Sequence, residues 1–180
     1  MNDSEEGVQE YPWYAIGTWE SLQQGDIILE CPVLVPTNDF AERLSGVIEG
    51  GSIESPIQVD VFNLVVMSQS CDLENDKVDQ VLLCGIFAAS EYSKSERIAI
   101  AKEHRPSVHM VERCDVKGFE FERRVIEFRT IYTLPKAFVM NFARSMGKRI
   151  RILPPYREHL SQAFARYFMR VGLPRTLRPE

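Results

Sequence analysis

β-prone apolar runs follow one another along most of this chain, and only three stretches carry a helical period. The strand-like runs are Ile27-Ile28-Leu29, Val33-Leu34-Val35, Val59 to Met67, Val81 to Phe87, Val108 to Val111, Val125 to Tyr132 and Arg149 to Leu153. A doubly wound parallel sheet needs a helix after nearly every strand, so that architecture is excluded. The order predicts an α+β fold, a small and strongly bent sheet or barrel with helices at its ends. A chain of 180 residues that is 44% apolar has enough material for one self-sufficient core.

Local patterns refine this outline. Gln24-Gly25-Asp26 marks a turn, and Pro32 is expected to interrupt the run that begins at Ile27. Residues 36–56, with Gly46 and the Gly50-Gly51 pair, read as a long connection between strands. Val59 and Val61 alternate with polar neighbours before Leu64-Val65-Val66-Met67 turns continuously apolar, the pattern of a strand entering the core. Phe119-x-Phe121 is expected to pair with 125–132 across Arg123-Arg124, with Ile126, Phe128, Thr130 and Tyr132 on one face. Trp13, Tyr14 and Trp19 read as an aromatic flap over the sheet.

The helical stretches are Ser93 to His104, the segment opened by Pro135 and ended by Gly147, and the segment after Pro154-Pro155. The first shows only a weak apolar side, from Ile98, Ala101 and the stem of Lys102. In the last, Leu160, Ala163, Phe164, Tyr167, Phe168 and Val171 form one stripe. That stripe is expected to face the core and to leave Arg157, Arg166 and Arg170 at the surface. Residues 1–12 are then a flexible acidic tail, 13–153 a bent-sheet domain with an inserted helix, and 154–180 a C-terminal amphipathic helix packed on it.

Composition removes several functions. The apolar runs are far shorter than the roughly 20 residues of a membrane-spanning helix. The polar, acidic start has none of the character of a signal peptide, so the protein is read as cytoplasmic, with no membrane association. Cys31, Cys71, Cys84 and Cys114 include no Cys-x-x-Cys pair, and only His104, His109 and His159 accompany them. Reduced thiols, no metal and no cofactor are the expectation. Phosphate-binding glycine loops, the His-Glu-x-x-His motif and the Gly-x-Ser-x-Gly elbow are all missing from the sequence.

The net charge of −5 hides a gradient. Residues 1–42 hold nine acids and no Lys or Arg, whereas residues 140–180 hold nine cations, eight of them Arg, against two acids. Either the two ends pack on each other, or the basic end meets a polyanion or an acidic partner.

One segment concentrates reactive groups. Met67-Ser68-Gln69-Ser70-Cys71-Asp72 follows a buried strand directly, and strand ends hold side chains rigidly. Three readings stay open. In the first, Ser68, Ser70 and Asp72 bond their own backbone and Cys71 packs inward. In the second, Ser68, Gln69, Ser70, Cys71 and Asp72 form a recognition surface. In the third, Cys71 is a nucleophile with His104 or His109 as its base and Asp72 orienting that base. The adjacent carboxylate opposes the thiolate, which weakens this last reading.

The string Val65-Val66-Met67-Ser68-Gln69-Ser70-Cys71-Asp72-Leu73 resembles the Ser-Gln-Ser/Thr-Cys-Asp signature of a set of bacterial proteins without assigned function. The ending from Leu153-Pro154-Pro155 to Gly172-Leu173-Pro174 is similar to theirs too. The order of elements over residues 24–145 resembles the MazF/PemK toxin family: an opening Gly25-Asp26-Ile27 strand, a loop, an apolar strand, a late strand carrying Arg129-Thr130, then a helix. The resemblance implies an SH3-like barrel and, for many members, ribosome-independent RNA cleavage countered by an antitoxin. Ser70 and Arg129 are the residues it offers for catalysis. It departs where the toxins carry Arg-Pro before the core strand: here Asp60-Val61-Phe62-Asn63 has no cation, and the nearest earlier one is Arg43. RNA cleavage without that cation loses its main electrostatic support. The expectation is a non-catalytic MazF-like module that binds a protein partner, with an RNA endonuclease and a Cys71-dependent hydrolase as alternatives. RNA binding and a homodimer are compatible with it.

Overall fold

A computed structural model describes residues 12–37, 40 and 58–169. Seven strands form one antiparallel sheet: β1 (Tyr14–Gly17), β2 (Asp26–Val35), β3 (Gln58–Val66), β4 (Gln80–Ala88), β5 (Val108–Val111), β6 (Arg124–Pro135) and β7 (Arg149–Ile152). Their spatial order is β1-β7-β2-β3-β4-β6-β5. Four α-helices lie among the described residues: α1 (Ser70–Glu74), α2 (Lys94–Ala101), α3 (Lys136–Ser145) and α4 (Tyr156–Phe168). The fold is therefore α+β. None of these helices is long and apolar enough to cross a membrane.

Both faces of the sheet are covered, which explains the unbroken apolar run at the end of β3. Leu64 and Val66 face one side, in a cluster with Ile28, Leu83 and, from α3, Val139 and Ala143. Val65 and Met67 face the other, with Ile27, Ile126, Phe128, Ile150 and, from α4, Leu160. A strand buried on both faces has no polar side to alternate with. A smaller cluster seats α2 through Ile100 against Val108 and Val125.

Helix ends follow the local signals. Ser93 caps α2 in a capping box with Glu96. Pro135 precedes α3, and Gly147 after it has φ +73°. Strand details depart from the expectations. β2 runs straight through Pro32. Beyond Ile27 it pairs with β3 alone, so the missing N–H breaks no second ladder, and the register shifts between Ile28 and Cys31 instead. Phe121 bridges back to Cys114, while β6 pairs with β4 and β5, not with 119–121. β1 was not expected, since four residues are too few to show a period. The connection read at 36–56 lies, apart from residues 36, 37 and 40, outside the described residues.

A second register shift, between Cys84 and Gly85 of β4, leaves β6 residues 128–130 as a bulge. Gly85 makes room there: a Cβ would stand 2.7 Å from the Phe87 ring and 2.9 Å from the Thr130 methyl, so those side chains would have to shift. The bending brings the two ends of the sheet together. Tyr14 of β1 donates its hydroxyl to the Glu112 carbonyl just after β5, and its ring meets Phe121 edge-on at 5.4 Å.

Candidate functional site

The segment after β3 is stitched into the fold through its small polar groups. The Met67 N–H donates to the Leu82 carbonyl (2.8 Å), and Ser68 Oγ accepts from the Leu82 N–H (2.8 Å), completing the last rung of the β3–β4 ladder. Ser70 Oγ accepts from the Gln24 N–H (3.1 Å), while Gln24 Nε2 donates to the Met67 carbonyl (2.9 Å). Gln69 Nε2 reaches Ser161 Oγ on α4 at 3.3 Å. Gln69 also accepts through its carbonyl from the Asp72 and Leu73 amides, which opens α1.

The first reading is corrected in part: Ser68 and Ser70 do bond backbone N–H groups, but those of Leu82 and Gln24 rather than their own segment's, and the Asp72 carboxylate meets the Cys71 thiol and Lys77. The Cys71 side chain is exposed, a correction to the expectation that it packs inward. A five-residue helix turns one face to the core, and Leu73 fills it. The Cys71 thiol donates to Asp72 Oδ1 (3.7 Å), and Lys77 stands 3.8 Å from the same oxygen. No histidine hydrogen-bonds it among the described residues. His109 belongs to another part of the molecule, in β5. Burial pushes its imidazole down to about 4; Glu103 pulls the other way, and His159 and Arg166 add to the depression. The other thiols are enclosed, and burial pushes Cys31 up to about 11 and Cys84 to about 12.

Arg129 sits exposed in the β6 bulge, and no contact joins it to Ser70. Arg43 and Arg170 lie outside the described residues. Arg157 is not a surface residue as expected but half-buried, bonded to Glu158 (2.7 Å). Arg166 is exposed and 3.3 Å from Glu103. On α4 the inward anchor is Leu160. Phe168 is 55% exposed, which corrects its place on the core stripe, while Tyr167 beside it still meets Phe128 of β6 with ring centroids 6.0 Å apart.

Part of the charge gradient is internal. Asp26, fully buried at the start of β2, pairs with Arg149 Nε (3.0 Å) and with Arg151 through Nε and through Nη2 (3.0 Å). Further guanidinium bonds go to the Trp19 and Ser21 carbonyls and to Gln23 Oε1, and both guanidiniums lie over the Trp19 ring. The Trp19 part of the predicted flap is thus a lid on a buried ion cluster. The turn before it requires Gly25, which has φ +87° and would place a Cβ 3.1 Å from the Ile152 carbonyl.

A large recess was not foreseen. A groove of about 1280 Å³ opens where the two ends of the sheet approach each other. One wall is α2, which contributes Lys94, Arg97, Ile98 and Ala101; Met110 and Cys114 lie along the bottom, and Val116 stands in the 112–123 loop. At one end Trp13 and Tyr156 stack face to face, 3.6 Å apart with their planes 7° from parallel. Arg123 grips Glu112 with two bonds (2.8 and 2.7 Å), which holds that carboxyl below its usual range. Arg113 pairs with Asp115 at 3.0 Å. The signal available in the sequence was the helical spacing of Lys94, Arg97, Ile98 and Ala101, of which only Ile98 and Ala101, with the stem of Lys102, were read, as a weak apolar side. The core-facing residue is Ile100 instead, and Ile98 is 49% exposed.

Among the described residues no cluster of His, Cys, Asp and Glu is arranged to hold a metal ion. Compared with protein-family models and with curated proteins, the chain matches none.

Proposed function

We propose that this chain is a non-catalytic protein-binding module, a bent sheet of the SH3-like, MazF/PemK type with that family's frame and without its chemistry. It works beside a protein partner in a bacterial regulatory or defence system in the cytoplasm. The observation that carries the reading is a contrast between two surfaces. The hydroxyls of the Ser68–Asp72 segment are spent on backbone N–H groups of Leu82 and Gln24, and Cys71 meets only the Asp72 carboxylate, whose negative charge disfavours the thiolate, with no histidine bonded to it among the described residues. The groove, by comparison, is open and mixed in character, with exposed apolar side chains beside charged ones. A thiol nucleophile needs a base that leaves the thiolate favoured, and a cleavage site needs a cation free to meet the phosphate, whereas Lys77, the cation beside this segment, is paired with Asp72. A docking groove needs neither.

Expression of the chain alone should leave growth unchanged, and the purified protein should not cut RNA in metal-free buffer. Growth arrest, with sequence-selective cleavage that disappears in Ser70→Ala and Arg129→Ala, would establish the endoribonuclease instead. Ester or amide turnover lost in Cys71→Ser would establish the hydrolase.

A further inference from the structure

We infer that the groove receives an extended, acidic peptide segment of a partner protein, with apolar side chains set between its carboxylates; the inference rests on the binding-module reading and deepens it. Three features of the walls support it.

The first is unspent charge. Lys94 and Arg97 stand on the groove face of α2, and neither has an ion pair or side-chain hydrogen bond among the described residues. The other lining cations are used: Arg113 by Asp115 at 3.0 Å and Arg123 by Glu112 with two bonds. Two positive charges without a partner among the described residues, one helical turn apart, call for two carboxylates. Alternate residues of an extended chain point the same way about 7 Å apart, within reach of two long, flexible side chains.

The second is apolar exposure. Ile98 sits beside Arg97 on the same wall, 49% exposed, and Val116 on the facing loop is 45% exposed. Burying them is the hydrophobic gain available to a ligand here, and it requires side chains rather than a bare anion.

The third is size. α2 is eight residues long, about 12 Å, which matches about four residues of extended chain. The groove volume of about 1280 Å³ exceeds the roughly 300–1,000 Å³ of small-ligand pockets.

RNA is the competing polyanion and fits less well. Glu112, Asp115 and Glu122 also line the groove, and a continuous phosphate chain would run past all three. A peptide places its acids only where Lys94 and Arg97 meet them. The slot between Trp13 and Tyr156 is closed by their mutual stacking, so no base enters between them.

The test is selection of 12-residue peptides from a random display library on the full-length folded protein, followed by binding titrations of the enriched peptides. The expected result is enrichment of Asp and Glu interleaved with Leu, Ile or Phe, with affinity falling as salt rises. The Lys94→Glu/Arg97→Glu variant should weaken these peptides about tenfold or more, as expected for two surface ion pairs turned to repulsion. Lys102→Glu, which lies beyond the end of α2 and outside the groove lining, should change binding less than twofold, about the effect of net charge alone. Matching circular dichroism spectra of the variants establish that they are folded, and Ile98→Asp should abolish binding through the apolar contact. Peptides released by the double reversal but free of excess acids would overturn the acidic preference and leave the binding-module reading intact. Enriched peptides indifferent to both groove variants would remove the groove from that reading. Single-stranded RNA bound more tightly than any peptide, and lost in the same double reversal, would overturn the inference in favour of RNA. RNA cleavage accompanying that binding would overturn the module reading as well.

Discussion

Replacing Asp26 by Ala removes one carboxylate and leaves two guanidiniums buried without a counter-charge. The Asp26 side chain is fully buried, and those of Arg149 and Arg151 are 1% and 9% exposed, so water cannot take its place. The carboxylate accepts from Arg149 Nε at 3.0 Å, from Arg151 through two nitrogens, and from the Gln23 N–H at 3.1 Å. Removing one partner of a buried ion pair costs about 3–5 kcal/mol, because the remaining charge stays desolvated. Two orphaned cations put this site at the upper end of that range, against a total stability of about 5–15 kcal/mol for an ordinary domain. Urea unfolding followed by tryptophan fluorescence measures it, with the m-value checked to be unchanged. The thermal midpoint should fall by about 6–20 °C for a chain of this size. A triple variant, Asp26→Leu/Arg149→Met/Arg151→Met, should lose less than Asp26→Ala alone, since an apolar replacement of the whole cluster leaves no orphan charge. A cost below about 1 kcal/mol for Asp26→Ala would refute the reasoning, by showing that the guanidiniums reach solvent or other acceptors when the carboxylate is gone.

His109 should make stability depend on pH. Burial holds its folded pKa at about 4 against an ordinary 6.5, so the unfolded chain binds the proton first. The contribution is complete above about pH 6.5 and is lost as pH falls towards about 4, on the order of 3 kcal/mol in all; His109→Gln should flatten the denaturation midpoints between pH 6.5 and 5, a window above the range where ordinary carboxylates titrate. Leu160→Ala should cost about 2–5 kcal/mol because the side chain is wholly buried, while Phe168→Ala, at 55% exposed, should cost under about 1 kcal/mol; equal melting points for the two variants would invert the orientation of α4. Cys71 should react quickly with a bulky maleimide in the native protein while Cys31, Cys84 and Cys114 stay protected until denaturant is added, and mass spectrometry of the labelled peptides reads this directly.

Local order was legible in the sequence wherever one residue's neighbours along the chain decide it. The two-sided burial of Leu64–Met67, the Ser93 cap, Pro135 ahead of α3 and Gly147 behind it follow from periodicity and backbone preference, and the α+β class follows from their order. The candidate site was legible only in part. Small polar residues after an apolar strand announced the Ser68–Asp72 junction, but the reading had Ser68 and Ser70 bonding their own segment, and the partners Leu82 and Gln24 lie 14 and 46 residues away. Which of Cys71 and Leu73 turns inward was not legible, because a single helical turn has too few residues to show a period. Tertiary structure alone decided the rest. Asp26 meets Arg149 across 123 residues, and no local rule states which of many charges will share a buried point. The groove exists because two register shifts bend the sheet until β1 and the end of β5 meet, and register is a property of strand pairs. The face of α2 that carries Lys94, Arg97 and Ile98 looks like a poor core face in the sequence. Only the packing of Ile100 against Val108 and Val125 turns it outward, where its charges and its isoleucine are left for something else to cover.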